Sequence, residues 1–196
     1  SYAKKKESDK SDLDILIATS YPKKLSQQLK NLDFVAEVIG AGKTKVSIRT
    51  DRGVQTDFRL VSEEEFPSAL HYFTGSQAHN VRMRQLAKDR NLKLSEYGLF
   101  QQDGTKKKIE SEEDIFKFLG LDYIIPELRE DQGEIEAAQK GELPESIELK
   151  DIKGDLHLHS RYSDGVFTIK EMAEAAAERG YKYIAVSDHS QSLNVA

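Results

Sequence analysis

The run Asp155-Leu156-His157-Leu158-His159-Ser160 ends an expected short strand that begins at Ile152. On a strand, residues two apart point to the same side, so His157 and His159 can approach one metal ion together. Asp164 lies just beyond, in Ser163-Asp164-Gly165, and His189 lies in Ser187-Asp188-His189-Ser190 at the end of a second expected strand. In parallel α/β structures, sites assemble at the C-terminal ends of strands. Three imidazoles and a carboxylate form a donor set suited to Zn²⁺ or Mn²⁺. A lone His-x-His is usually a pair of surface residues; Asp164 and His189 at corresponding places distinguish this one. The other two histidines, His71 and His79, are expected to be structural or solvent-facing.

A second pattern is carboxylate-based. Asp12 and Asp14 flank Leu13 in Ser11-Asp12-Leu13-Asp14-Ile15-Leu16-Ile17, so on a strand they share one face while Leu13 and Ile15 take the other. Asp57 falls within Val54 to Val61, where Val54, Thr56, Phe58 and Leu60 face one way and Asp57 faces the other, beside Gln55 and Arg59. Three carboxylates on adjacent strands can hold two Mg²⁺ ions about 3.5–4 Å apart. Mg²⁺ prefers oxygen ligands and keeps several waters. Asp-x-Asp is common on acidic surfaces, so this pattern alone is the weaker of the two.

The elements that must position these residues follow from local pattern. Leu13 to Ala18 reads as a strand, Pro22 to Leu32 as a helix, and Lys43 to Thr50 with Val54 to Val61 as a hairpin turning at Asp51-Arg52-Gly53. Ser62 and Glu65 form a capping box ahead of a helical stretch, and a second helix runs from about Ser76 to Arg90. Leu92 to Phe100 and Lys107 to Ile109 read as short strands around Asp103-Gly104, and Ser111 opens a helix to about Leu119. Pro126 to Lys150 reads as a linker with one weak helix near Ile135 to Gln139. Then Ile152 to His157, Thr168 to Arg179 and Tyr183 to Ser187 make a βαβ unit, with Thr168 and Glu171 as its capping box and Gly180 past the helix end.

Composition narrows the classes. The chain of 196 residues has no cysteine, which excludes disulfides and thiolate zinc sites. No apolar run approaches the roughly 20 residues needed to span a membrane, and the polar start is not a secretory signal; a cytoplasmic location is expected. The net charge is −5, and residues 128–151 carry all of it, with three basic and eight acidic side chains. The remainder is neutral and holds local basic clusters able to bind phosphates. The absence of an initial Met and of a stop-like end leads to the expectation that both ends are cut.

The motif Gly154-Asp155-Leu156-His157-Leu158-His159-Ser160, with Ser163-Asp164-Gly165 and Ser187-Asp188-His189, resembles the opening of a PHP (polymerase and histidinol phosphatase) domain. That resemblance implies metal-dependent phosphoester hydrolysis, with early ligands at His157, His159, Asp164 and His189. It covers about 43 residues, the first βαβ unit of the barrel. Tyr72-Phe73-Thr74-Gly75-Ser76, then Asn80, Arg82-Met83-Arg84 and Glu96-Tyr97, resembles the thumb of polymerase-beta-like enzymes. Here the resemblance implies that Tyr72 and Phe73 lie against an incoming sugar, that Gly75 belongs to the same nucleotide-side turn, that Asn80 contacts the incoming base and that Arg84 contacts the template strand. Met83 and Leu86 are expected in the core.

The order palm, thumb, linker, PHP is similar to that of bacterial family X DNA polymerases. The implied fold is an α+β polymerase-beta-like nucleotidyltransferase palm (1–62, partial) and thumb (63–127), an acidic linker (128–151), and the start of an α/β PHP barrel (152–196). The family's palm opens with a Gly-Ser pair, two arginines and a Gly-Asp. Here Ser1 stands at the serine, Ala3-Lys4-Lys5-Lys6 stands where the arginines are expected, and Ser11 precedes Asp12. Lysine binds phosphate as a point charge without the fork of arginine. The implied activity is DNA-directed, repair-type polymerisation by two-metal nucleotidyl transfer on Asp12, Asp14 and Asp57 with Mg²⁺, using dNTP and gapped or primer-template DNA. A PHP-type 3′-5′ exonuclease in the parent protein is implied beside it. Two alternatives stand: a non-catalytic DNA-binding fragment gripping the backbone through Arg82, Arg84, Lys88, Arg90 and Lys93, or a protein that is mainly a PHP hydrolase. The piece alone is expected to be weakly active or inactive, and no protein partner is inferable.

Overall fold

The computed structural model describes residues 12–192. Ser1 and the lysine-rich lead-in, Ala3 to Ser11, lie outside them. The chain forms two compact units, 1–143 and 144–196. Among the described residues, no helix is long and apolar enough to cross a membrane.

The first unit opens with a four-stranded sheet in the order β1-β4-β3-β2, formed by β1 (Leu13–Ala18), β2 (Val35–Ala41), β3 (Lys45–Thr50) and β4 (Gln55–Val61). The pair β1–β4 is parallel and the other two pairs are antiparallel. Gly53 closes the β3–β4 hairpin at φ +81, a conformation glycine adopts without steric cost. Alternation along β3 and β4 sends Val46, Ile48, Phe58 and Leu60 to one face, where they pack with Leu29 of α1 (Pro22–Leu29) and the half-buried Ile15 and Ile17. The opposite parity carries Asp14 and Asp57 to the other face, as expected. Strand β2 was not expected. It is an exposed edge with two register irregularities, so it has no alternation of burial for the sequence to reveal and forms through backbone pairing with β3.

Two helices follow, α2 (Phe66–Thr74) and α3 (Gln77–Asp89). Ser62 and Glu65 exchange hydrogen bonds ahead of α2, with the Ser62 N–H and hydroxyl each donating to Glu65 at 2.9 Å. Ser76 caps α3, its hydroxyl accepting from the His79 N–H at 3.1 Å. The hairpin β5 (Leu92–Ser95) and β6 (Gly98–Gln101) and helix α4 (Glu112–Phe118) complete a second core around Met83, Leu99, Ile115, Phe116, Leu119 and Ile124. Met83 is fully buried and Leu86 packs against this core. No strand forms at Lys107 to Ile109. A single bridge joins Phe100 to Lys106, and Ile109 turns into the core on the way to the α4 cap.

The stretch expected as an acidic linker is in its first half an integral part of this unit. Helix α5 (Glu134–Lys140) buries Ile135 and Ala138 in the second core, and Arg129 is completely buried. Acidity misled because Glu134 is itself buried, held by hydrogen bonds rather than by water.

The second unit is the expected βαβ: β7 (Gly154–Leu158), α6 (Ile169–Glu178) and β8 (Tyr183–Val186), with the strands parallel. Thr168 and Glu171 form the capping box, and Gly180 leaves the helix at φ +76.

Candidate functional site

On the parallel pair, Asp14 is the register partner of Asp57. Asp12, one step before β1, accepts a hydrogen bond from the Gln55 side chain at 3.2 Å. The three carboxylates therefore sit on one face, but in unlike states. Asp12 and Asp14 are exposed, whereas Asp57 is buried. Its Oδ2 meets Lys45 Nζ at 2.5 Å, and its Oδ1 is buried with no hydrogen-bond partner. Burial would raise the Asp57 pKa, but hydrogen bonds from Lys45 and Ser47 and the charges of Lys45 and Arg59 outweigh it, and the carboxyl is held below its usual range.

A buried carboxylate oxygen without a donor costs free energy unless something satisfies it. A hard divalent cation does so, and the all-oxygen donor set fits Mg²⁺. Lys45 and Ser47 were not singled out from sequence. The signal was there in their shared parity on β3, but only the β3–β4 register shows that they face Asp57.

Beside Asp14 is a pocket of about 370 Å³ walled by Arg59, Phe66, Leu70, Phe73 and Thr74. Phe73 lies under the Arg59 guanidinium at 5.3 Å and edge-on to Tyr72 at 5.1 Å. Both rings are partly exposed, so neither is simply a core aromatic. Asn80, on the first turn of α3, is buried, and its amide donates to the carbonyls of Tyr72 at 2.7 Å and Gly75 at 3.3 Å. The Tyr72–Gly75 turn and the start of α3 are thereby tied together. A Cβ at Gly75 would come within 3.0 Å of the His79 ring. Arg84 is exposed one turn further along α3.

His71 and His79 are both fully buried, so neither is solvent-facing. Their rings lie 5.8 Å apart. Burial, with the charge of Arg129, holds His71 down to about 3, and neither of its ring nitrogens has a partner.

In the second unit, His157 Nε2 and His159 Nε2 are 2.8 Å apart, His159 Nδ1 is 2.8 Å from Asp164, and His189 Nε2 is 3.7 Å from Asp164. Among the described residues, His159, Asp164 and His189 form the trio whose ligand atoms all lie within 4.8 Å of one another. All four residues expected there are brought together. Mixed imidazole and carboxylate donors fit a borderline divalent ion such as Zn²⁺ or Mn²⁺. The His159 contact holds Asp164 below its usual range.

Asp188 is a residue whose role the sequence did not show, although its motif was visible. It accepts from the Ser160 N–H at 2.6 Å, the Ser160 hydroxyl at 2.5 Å and the Ser163 hydroxyl at 2.8 Å. It thus ties the His157–His159 segment to the loop bearing Asp164. The sharp return of that loop leaves no room at Gly165, where a Cβ would lie 1.9 Å from the His159 carbonyl oxygen.

Comparison with known proteins accounts for both units. Residues 69–130 match the DNA polymerase beta thumb and residues 155–196 match the PHP domain. The chain is 48% identical to the DNA polymerase/3′-5′ exonuclease PolX of Bacillus subtilis over 94% of its own length, and spans 33% of that relative. It is 34% identical to the repair DNA polymerase X of African swine fever virus (strain Badajoz 1971 Vero-adapted), covering 60% of this chain and 72% of the viral protein. The ternary P/T complex of Leishmania infantum polymerase beta shares the fold, with a TM-score of 0.50 and 24% identity over 61% of each chain. The polymerase-beta-like α+β architecture, followed by the βαβ start of a PHP domain, is the one expected from the residues. With a viral relative covered over most of its length and two successive domain matches in the same order, the chain belongs to family X of the DNA polymerases.

Proposed function

We propose that the parent protein is a DNA-directed DNA polymerase of repair type that also carries a PHP phosphoesterase acting on DNA 3′ ends. The observation that carries the polymerase reading is the Asp12–Asp14–Asp57 face, with its buried, donor-less Asp57 oxygen beside a pocket walled by Phe73 and Arg59. Residues 1–62 serve as palm and 63–127 as thumb, and the PHP part begins at 152. Membership of family X and the fold likeness to a polymerase beta complex support DNA as the partner and dNTP as the substrate.

Asp12, Asp14 and Asp57 would hold Mg²⁺, which supplies neutralisation of developing negative charge and activation of a 3′-hydroxyl. The chain's own residues do the rest. Asp57 stays ionised because Lys45, Ser47 and Arg59 stabilise its charge. Tyr72, Phe73 and Gly75 form the turn against which a sugar would rest, and Asn80 keeps that turn registered on α3. Because both Asn80 donor contacts are to the backbone, its side chain orders the turn before it touches any base. Arg84 is free to reach a template strand. Lys4, Lys5, Lys6 and Ser1 would take the triphosphate. A cytoplasmic location belongs to the same reading.

The second activity rests on the His159–Asp164–His189 trio, with His157 stacked on His159 at 4.9 Å. Zn²⁺ or Mn²⁺ held there would activate water toward a phosphodiester. Asp57→Asn in the intact parent tests the assignment. Nucleotide incorporation should fall by about three orders of magnitude or more, as for loss of a metal-clamping carboxylate, while 3′-end hydrolysis persists. Unchanged incorporation would sink the polymerase site.

A further inference from the structure

Helix α5 begins beyond the thumb match, yet it is bolted to the first turn of α3. Glu134 Oε1 accepts from His79 Nδ1 at 2.7 Å and from the Asp131 N–H at 2.8 Å, and Oε2 accepts from the Gln132 N–H at 2.7 Å. The turn that folds these donors around one carboxylate uses left-handed backbone at Asp131 (φ +58) and Gly133 (φ +103). On the same side of α3, the Ser76 N–H donates to the Arg129 carbonyl at 3.0 Å. Arg82 pairs with both Asp131, at 3.4 Å, and Glu136.

The chain from Arg129 to Glu136 thus grips α3 at its cap (Ser76), its first turn (His79) and its second turn (Arg82). Between these points lies Asn80, which holds the Tyr72–Gly75 turn. Arg129 itself is immobilised. Its guanidinium donates to Glu112 at 2.6 and 3.3 Å and to the Ile124 carbonyl at 2.9 Å, and lies against the rings of both Phe116 and Tyr123. Burial lowers the His79 pKa despite Glu134, so the ring is neutral near pH 7 and donates from Nδ1.

We propose that Glu134 is a positioning residue for nucleotide binding. Acting through His79, it sets the angle of the first turn of α3 and hence the placement of Asn80 and the Tyr72–Gly75 turn. The nucleotide side of the site then extends beyond the thumb into α5. This inference rests on the reading of that turn as nucleotide-binding.

The test is single-nucleotide gap filling by the full-length protein, together with equilibrium dNTP binding on a dideoxy-terminated primer-template. Misplacement of a binding group by a fraction of an ångström gives an expected rise of about ten-fold in KM and Kd for dNTP in Glu134→Ala, with kcat within about three-fold. Glu134→Gln keeps an acceptor for His79 but loses the second oxygen, which takes the Gln132 N–H, so an intermediate rise of about three-fold in dNTP Kd is expected; it carries the same test should the alanine variant fold poorly. In an Asn80→Ala background the Glu134→Ala effect should largely vanish, because both substitutions act through one contact chain. Unchanged dNTP Kd in the Glu134 variants, or additive effects with Asn80→Ala, overturns the inference. Asn80→Ala alone separates the two layers. If it binds dNTP like the parent, the nucleotide-site reading itself fails; if it weakens binding while the Glu134 variants do not, only this inference fails.

Discussion

Lys45 Nζ lies 2.5 Å from Asp57 Oδ2 and occupies the side of the carboxylate that faces β3. The ammonium satisfies one oxygen of a buried acid whose other oxygen has no partner. If Asp57 holds a divalent ion, as proposed, Lys45 is a resident cation that would compete with it.

That competition has a measurable consequence. Replacing Lys45 by Met leaves Asp57 buried without its counter-charge and should destabilise the ion-free protein by about 1–3 kcal/mol. The side chain of Lys45 is 38% exposed, which keeps the loss toward the low end. Divalent binding should tighten several-fold, because no ammonium has to be displaced. Urea unfolding with and without Mn²⁺, and Mn²⁺ titration followed by electron paramagnetic resonance, read both quantities. Equal or weaker Mn²⁺ affinity in Lys45→Met would show that the lysine does not compete.

The Arg129–Glu112 pair is completely internal and holds the Ile124 carbonyl as well. Breaking one partner of such a pair is expected to cost about 3–5 kcal/mol, since the other charge stays buried and unpaired. Arg129→Met should therefore lower the unfolding midpoint sharply, while Arg129→Met with Glu112→Leu recovers most of it. A double variant no more stable than the single one would mean that packing of the guanidinium on Phe116 and Tyr123, and not charge pairing, is what is lost.

His71 carries a pH prediction. Burial, the largest cause, holds its folded pKa down to about 3, against the usual 6.5 of a free histidine. Above pH 6.5 the residue is neutral in both states and makes no difference to stability. As pH falls from 6.5 toward 3, only the unfolded chain takes up the proton, so stability declines. At pH 5 the penalty is about 2 kcal/mol, from ~1.4 kcal/mol per pKa unit. His71→Leu removes both the titration and two buried, partner-less nitrogens. Its stability advantage over the parent should widen by that amount between pH 7.5 and pH 5 in urea titrations. A constant difference across the range would refute the assignment.

What the sequence revealed and what it concealed divide along one physical line. Strands β1, β3 and β4 and the capping of α4 and α6 were legible because alternation and side-chain caps are local. The opposite faces of β4 placed Asp57 with Asp14 before any register was known. Strand β2 was not legible because an exposed edge needs no apolar parity, and Glu37 and Gly40 interrupt what pattern it has. The attachment of α5 was hidden for a different reason. Glu134 reaches His79 across 55 positions, and a buried acid in an acidic stretch looks like its solvated neighbours. Lys45 diagonal to Asp57 on the neighbouring strand and Asp188 across from Ser160 are likewise relationships of register and return, visible only once the strands are aligned.

Gly165 gives the sharpest test of the second site. Its backbone packs against the carbonyl of His159, and an added Cβ would sit 1.9 Å from that oxygen and 2.4 Å from the carbonyl carbon. Real Cβ contacts do not occur at such separations, and the obstacle is backbone rather than a yielding side chain. Gly165→Ala must therefore move either the His159 strand end or the Asp164 loop, separating ligand atoms that now lie within 4.8 Å. The Ser163 hydroxyl bond to Asp188, at 2.8 Å, would go with them. In the full-length protein this variant should lose Zn²⁺ or Mn²⁺ at the His159–Asp164–His189 site and with it 3′-end hydrolysis by about 100-fold, the upper range for displaced support of a metal ligand. Incorporation at the carboxylate site should be retained. Metal content measured by atomic emission alongside both activities decides the matter: full metal occupancy in Gly165→Ala would show that these residues do not form the metal centre.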